Sequence, residues 1–414
     1  MRYLALGLAV LMLAPLVAYA QTDEEIFEEF QFNFATPGAR AAAMGRAFIG
    51  LADDATAAET NPAGLVILTK PEASFEIKRT DYTVERAAGY NSLSDGTTTD
   101  FGQAITSPSF LSFVYPVGRL RFAFFRQEFL NYEESFALGL RKIPDSGTEF
   151  LPSTGEVDFL GANWGGAVAY QLSPKAFAGF SVKYSQLKAD TKTAKFSGTV
   201  LQDRSSISDT QSGLSFTVGF LANPSRKLSI GAIYERNPQF DYTEHYEAFL
   251  IPPTKKDYAV TIKIPDRFGF GAAVRPTESL TVLADVQVIQ YSQIAEKTTL
   301  ILFADKGLSP SDFDIDNATE FHVGAEYMFF VGDTALAVRG GTFTNPSHDL
   351  RYVGDKTSVW GHVADELFNF GEEDTAIGYT VGGGVVLASR VQIDVAYLIS
   401  DPFNEFSASF VVRF

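Results

Sequence analysis

The sequence predicts an all-β protein: a 14-stranded antiparallel transmembrane β-barrel with an N-terminal hatch, or plug, containing short helices. Three observations carry this. The last residues, Asn404–Phe414, alternate with period two and stop on an aromatic: Phe406, Ala408, Phe410, Val412 and Phe414 share one face, Ser407, Ser409, Val411 and Arg413 the other. That period marks a strand with different surroundings on its two faces. As the free edge of a soluble sheet so apolar a strand would be adhesive; a barrel closed onto its first strand has no edge and turns the apolar face to lipid. From Glu72 onward, hydrophobic alternation is cut by breaks that are short and long by turns. Finally, no apolar run after residue 20 is long enough for a membrane helix, so a spanning chain must cross with strands.

Residues 1–20 read as a secretory signal peptide. Arg2 supplies the charge, Leu4 to Val17 the apolar run, and Ala18-Tyr19-Ala20 a small-x-small cleavage site. The run is short for an anchor, and Thr22-Asp23-Glu24-Glu25 follows at once. Residues 21–70 form the predicted plug. Their Ala-rich stretches, Gly38–Ala47 and Asp53–Leu65, favour short helices, and Asn61-Pro62 and Gly64 punctuate them. A segment of this size cannot bury a core alone and fits inside a lumen.

Residues 71–414 form the predicted barrel. The strands fall at about 72–86, 106–116, 119–133, 156–171, 175–190, 211–223 and 227–246, then 258–274, 279–296, 318–331, 335–345, 375–387, 390–401 and 404–414. Short breaks such as Ser173-Pro174-Lys175 and Asn223-Pro224-Ser225-Arg226 consist of turn residues. The long polar breaks are 87–105, 134–155, 191–210, 247–257, 298–317 and 346–374. Short periplasmic turns and long outside loops give a transmembrane barrel this rhythm. The outer faces read Leu160, Ala162, Trp164 and Val168, or Phe180, Val182 and Tyr184; the inner faces carry Ser181, Lys183, Ser215, Thr217, Gln392 and Asp394. Strand 119–133 is ambiguous, with Phe122, Phe124, Phe125 and Phe129 on both faces.

Composition excludes several functions. There is no cysteine, so no disulfide framework and no thiol chemistry. A net charge of −17 argues against nucleic acid, which demands basic patches, and fits acidic outside loops facing lipid and lipopolysaccharide. The histidines His245, His322, His348 and His362 lack metal-ligand spacing. Asp312, Asp314 and Asp316 imitate a calcium loop but lack its Gly and its final Glu, so they read as a solvated surface. Glu320, His322 and Glu326 share the inner face of one strand and Arg339 faces in from the next; they read as a lumenal salt-bridge network rather than an acid–base pair. No nucleophile elbow or phosphate loop occurs, so neither an enzyme nor a cofactor is expected.

The run Pro37–Leu65, with its Gly-Ala-rich start, acidic pair and Asn61-Pro62-Ala63-Gly64, resembles the hatch of the FadL/TodX (OmpP1) family of outer-membrane hydrophobic-compound transporters. Phe414 resembles the C-terminal signal by which the barrel-assembly machinery recognises its clients. The resemblance implies a barrel in the bacterial outer membrane and passive uptake of long-chain fatty acids or aromatic hydrocarbons. It also implies an apolar lumenal site gated by the hatch, with lateral release through the wall. Phe30, Phe32 and Phe34 are the expected ligand contacts. The family's wall gap arises from an inward kink in the third strand, and Leu120–Glu133 has no Gly or Pro to mark one. A similar hatch occurs in barrels of the PorV type, which serve type IX secretion; that role is the alternative.

Overall fold

The computed structural model describes residues 32, 34–87, 98–142, 149–249, 252–297, 307–348, 350–368, 375–401 and 403–414. The predicted signal peptide and Phe30 lie outside them. Among the described residues, fourteen antiparallel strands close into one barrel. They are β1 Glu72–Ala87, β2 Thr98–Val117, β3 Leu120–Leu138, β4 Ser153–Ser173, β5 Ala176–Ser197, β6 Val200–Ser225 and β7 Leu228–Arg236 with Gln239–Ala248. The circle continues with β8 Thr254–Lys263 with Arg267–Val274, β9 Leu280–Ile289, β10 Ala318–Val331, β11 Thr334–Asn345, β12 Ala376–Leu387, β13 Val391–Ile399 and β14 Phe403–Arg413. The seam pairs Glu72 with Arg413 through to Tyr82 with Phe403, so the C-terminal strand closes on the first.

Side chains alternate as the pattern requires. Leu111, Phe113, Phe122, Phe124, Trp164, Phe180, Tyr184, Phe406 and Phe410 point outward, whereas Ser181, Lys183, Ser215, Thr217, Gln392 and Asp394 are buried inside. The ambiguous β3 resolves into Phe122 and Phe124 facing out and Phe125 and Phe129 facing in. A Cβ at Gly165 or Gly161 of β4 would overlap the rings of Phe125 and Phe129, so glycine opposite each aromatic makes its room.

Several boundaries differ from the sequence reading: β2 begins at Thr98 and β3 runs on to Leu138, inside the expected loops 87–105 and 134–155. The stretch 191–210 is not a loop: β5 and β6 pair from Ala176–Ala222 to Ser197–Val200, so the ladder runs to the tip of their hairpin. Strands of 22 and 26 residues are about twice the length a tilted strand needs to cross. Its charges (Lys188, Asp190, Lys192, Lys195, Asp203) decorate a ladder, since polarity in strands and in loops reads alike. Strand β9 ends at Ile289, and a helix, Ser292–Lys297, replaces its expected last turn. Strands β7 and β8 each break at a proline, Pro238 and Pro265, which cannot donate to the ladder. Side chains repair the break: Lys263 Nζ donates to Asn237 O, Ile264 O and Asp266 Oδ1, each at 2.7 Å. Outside loops fold inward over the lumen through the paired segments Phe313–Asp314 and Arg351–Tyr352 and the helix Val359–Phe368.

Candidate functional site: the hatch and the apolar chamber above it

Residues 34–71 thread the lumen. The helix Ala39–Ala42 packs on β12–β14, and the 3-10 helix Pro62–Ile67 packs on β4–β6 across the barrel. Where backbone meets backbone, the wall supplies glycine: a Cβ at Gly179 would overlap Pro62 and Ala63, one at Gly231 would overlap Ile49, and one at Gly324 would overlap Met44. Inward polar side chains satisfy hatch amides that have no helix or ladder of their own. Asp285 accepts from Phe48 N and Ile49 N at 2.6 and 2.8 Å, Glu72 from Ala55 N at 2.7 Å, and Glu76 from Gly38 N at 2.9 Å.

The Asn61-Pro62-Ala63-Gly64 motif is the hub. Asn61 Oδ1 accepts from Ala63 N at 3.2 Å and caps the 3-10 helix, while Pro62 fills a first-turn position that needs no N–H. Asn61 Nδ2 donates to Ile49 O in the hatch at 3.0 Å and to Phe220 O in β6 at 3.1 Å. Ala63 sits against Gly179, and a Cβ at Gly64 would overlap Ala52. One amide thus ties helix, loop and wall.

The four lumenal residues singled out from sequence do face inward, but in two groups. Glu326 takes a two-bond fork from Arg40 of the hatch, 3.0 Å each, and Arg339 Nε at 2.8 Å; Arg339 continues to Asp394 at 2.8 Å. His322 bonds Gly45 O at 2.9 Å through Nδ1, and Glu320 at 3.0 Å and Gln287 at 3.2 Å through Nε2. Sequence reasoning missed a second charge cluster. Glu59 of the hatch meets Arg267 at 3.3 Å and Lys183 at 3.6 Å, both of which also bind Glu235. All four are almost fully buried. Arg267 also donates to Phe34 O and lies 5.6 Å from the Phe34 ring centre. Inward parity on three separate strands was the available signal; their meeting at one hatch carboxylate was not.

Above the hatch the lumen turns apolar. Phe136, Phe159, Phe240, Tyr242, Ile262 and Ile289 from the outer halves of the strands join Phe313, Tyr352 and Phe368 from the inward-folded loops. Phe32 and Phe34, two of the expected contacts, are buried in this chamber with ring centres 5.9 Å apart. Beside them is a cavity of mixed character. Phe32, Phe34, Tyr82, Ile105, Leu130 and Phe403 line one part; Arg46, Lys78, Glu128, Glu320, His322 and Glu405 line the rest. Arg46 and Lys78 share Glu405 at 3.3 and 3.1 Å.

The wall beside this cavity is not continuous. Strands β2 and β3 pair from Val117–Leu120 up to Phe110–Gln127 and no farther, although β2 stays paired to β1 and β3 to β4 above that level. Both strands are irregular at this height: Ser109 is an extra residue against β1, and Phe129 an extra residue against β4. The irregularity in β3 falls at Phe129, so Leu120–Glu133 carries it without a Gly or Pro. The marker is Pro108, in the neighbouring strand, whose missing N–H leaves the ladder without a donor.

Comparison with known proteins agrees with this architecture. The family model described as outer membrane protein transport protein (OMPP1/FadL/TodX) matches residues 32–349. Among solved structures, a Pseudomonas aeruginosa FadL homologue superposes with a TM-score of 0.66 at 13% identity, covering 92% of this chain and 99% of that one. The Ralstonia pickettii toluene transporter TbuX gives 0.62 at 15%, covering 92% and 99%, and the Pseudomonas putida toluene transporter TodX gives 0.62 at 13%, covering 91% and 98%. No curated protein matches. The PorV-type alternative draws no support from these relatives. The family is one of transport channels rather than enzymes. With its fourteen-strand barrel, lumenal hatch and apolar chamber, the chain belongs to the outer membrane protein transport protein family (OMPP1/FadL/TodX) of the bacterial outer membrane.

Proposed function

We propose that this protein is a passive channel for uptake of hydrophobic compounds, long-chain fatty acids or aromatic hydrocarbons. The compound occupies the apolar chamber, the N-terminal hatch gates the way onward, and release is sideways through the wall. The observation that carries this reading is the placement of Phe32 and Phe34: just before the hatch the chain sets two aromatic rings in an apolar chamber. A solute that settles there competes with or rearranges those rings, and Arg267 holds the carbonyl of Phe34 and the hatch carboxylate Glu59 together. Binding energy can thereby reach the plug. An apolar chamber also lowers the barrier that a lipopolysaccharide leaflet presents to such solutes, provided that affinity is moderate enough for release. Two relatives of the same fold are toluene transporters by name. Lipopolysaccharide and outer-membrane lipid contact the outer face in this reading, and the barrel-assembly machinery reads Phe414.

The test is binding and uptake of palmitate and toluene by the intact protein and by a form lacking residues 21–70. Binding by the intact protein, with binding and controlled uptake lost in the truncated one, is expected. Failure of the intact protein to bind either class would overturn the proposal.

A further inference from the structure

Above Phe110 and Gln127, where backbone pairing between β2 and β3 stops, side chains take over. Glu128 Oε1 accepts from Ser107 Oγ across the gap at 2.5 Å and from Asn131 Nδ2 at 3.2 Å; its Oε2 lies 3.5 Å from Arg126. Arg126 in turn donates to Pro108 O on β2. Glu128 also lines the cavity beside Phe32 and Phe34, as do Ser107, Ile105 and Leu130. One carboxylate therefore stands both at the inner cavity and in the seam. Directly below the seam Leu111, Phe113, Phe122 and Phe124 face lipid, so the seam opens at membrane depth.

A second unpaired stretch, between β6 and β7, differs in kind. Pairing lapses between Phe216–Arg236 and Ser206–His245. Its upper part exposes Ser208, Asp209, Thr210 and Ser212 and its lower end Leu214, and the cavity that Glu128 lines does not reach it. Tyr242 crosses behind it to donate to Leu187 O at 2.6 Å.

We propose that Glu128, with Ser107 and Arg126, is a polar clasp that holds the β2–β3 seam shut, and that releasing it opens the lateral exit from the chamber. The proposal rests on the uptake reading above and assigns its gate. Side-chain bonds suit a gate because one rotamer change of Glu128 breaks the link to Ser107 without dismantling any ladder. A backbone seam would need several ladder bonds broken together.

Two readouts test it, in a chain that has no native cysteine to interfere. Spin labels are placed across the seam at Thr106→Cys and Glu133→Cys, both exposed and neither bonded to Glu128, in wild-type and Glu128→Ala backgrounds. The distance distribution should lengthen and broaden on loss of Glu128; an unchanged distribution overturns the clasp. Second, Ser107→Cys with Glu128→Cys is bridged by a short bis-methanethiosulfonate, each thiol displacing a sulfinate to form a disulfide. Toluene uptake into proteoliposomes should stop on bridging and return on reduction, while toluene binding in detergent persists. Uptake at the unbridged rate in the bridged protein overturns the exit assignment. Glu128→Ala is expected to speed toluene release about 10-fold, the factor for losing a hydrogen bond to a charged group. A wild-type protein that binds neither toluene nor palmitate, alongside a widened seam in Glu128→Ala, would sink the uptake reading and leave the clasp standing.

Discussion

Asn61 separates two roles that a single residue usually confounds. As an N-cap, Asn and Asp are nearly equivalent. As an anchor they are opposites, because Asn61 Nδ2 donates to Ile49 O and Phe220 O, whereas an aspartate has no donor and would set a carboxylate against two carbonyls. Replacing Asn61 by Ala removes three hydrogen bonds and leaves the buried Ala63 N and Ile49 O without these partners. At about 1 kcal/mol per bond the loss is about 3 kcal/mol, or roughly a 100-fold rise in the population of undocked hatch. Asn61→Asp keeps the cap and adds repulsion, so it should undock the hatch at least as much as Asn61→Ala. The assay is hydrogen exchange of the Ala39–Ile67 amides in detergent, with the strand amides as internal control. Protection should fall across the hatch and hold in the strands. Wild-type protection in Asn61→Asp would refute the anchoring argument and reduce Asn61 to a helix cap.

Three further outcomes are expected. Phe34→Ala removes an aromatic wall of the chamber and should weaken binding of toluene or palmitate about 10- to 100-fold, from about 1.5–3 kcal/mol of lost apolar burial; tighter binding in a titration would show that Phe34 occupies the site and competes. Arg267→Met leaves Glu59 and Glu235 with Lys183 alone, and breaking a buried pair costs about 3–5 kcal/mol, so limited proteolysis should cut the hatch while sparing the barrel; an unchanged digestion pattern contradicts a hold of Arg267 on the hatch. Deleting Phe414, which is exposed and bonds Pro71 O only through its backbone N–H, should lower the yield of assembled barrel in cells without changing the melting temperature of the purified protein; an unchanged yield removes its role as an assembly signal.

What the sequence determined by itself is what repeats locally. Alternation set the inward and outward faces of each strand, because a period of two is imposed by the pleat whatever the neighbours are. Turn residues set the count of fourteen, and the closing strand Asn404–Phe414 met Glu72–Tyr82. The short helices between Ala39 and Ile67 were legible too, since Ala-rich runs broken at Asn61-Pro62 are a local signal. Tertiary structure decided what depends on pairing across distance. Polar residues at 191–210 proved to be ladder, because strand pairing rather than polarity fixes where a hairpin ends. The charge cluster of Glu59, Lys183, Glu235 and Arg267 joins three strands and the hatch, and no spacing in the chain relates them. The lapse in β2–β3 pairing was hidden for the same reason. A seam belongs to two strands at once: Phe129 bulges in one, Pro108 withholds a donor in the other, and neither shows a gap until the strands stand side by side.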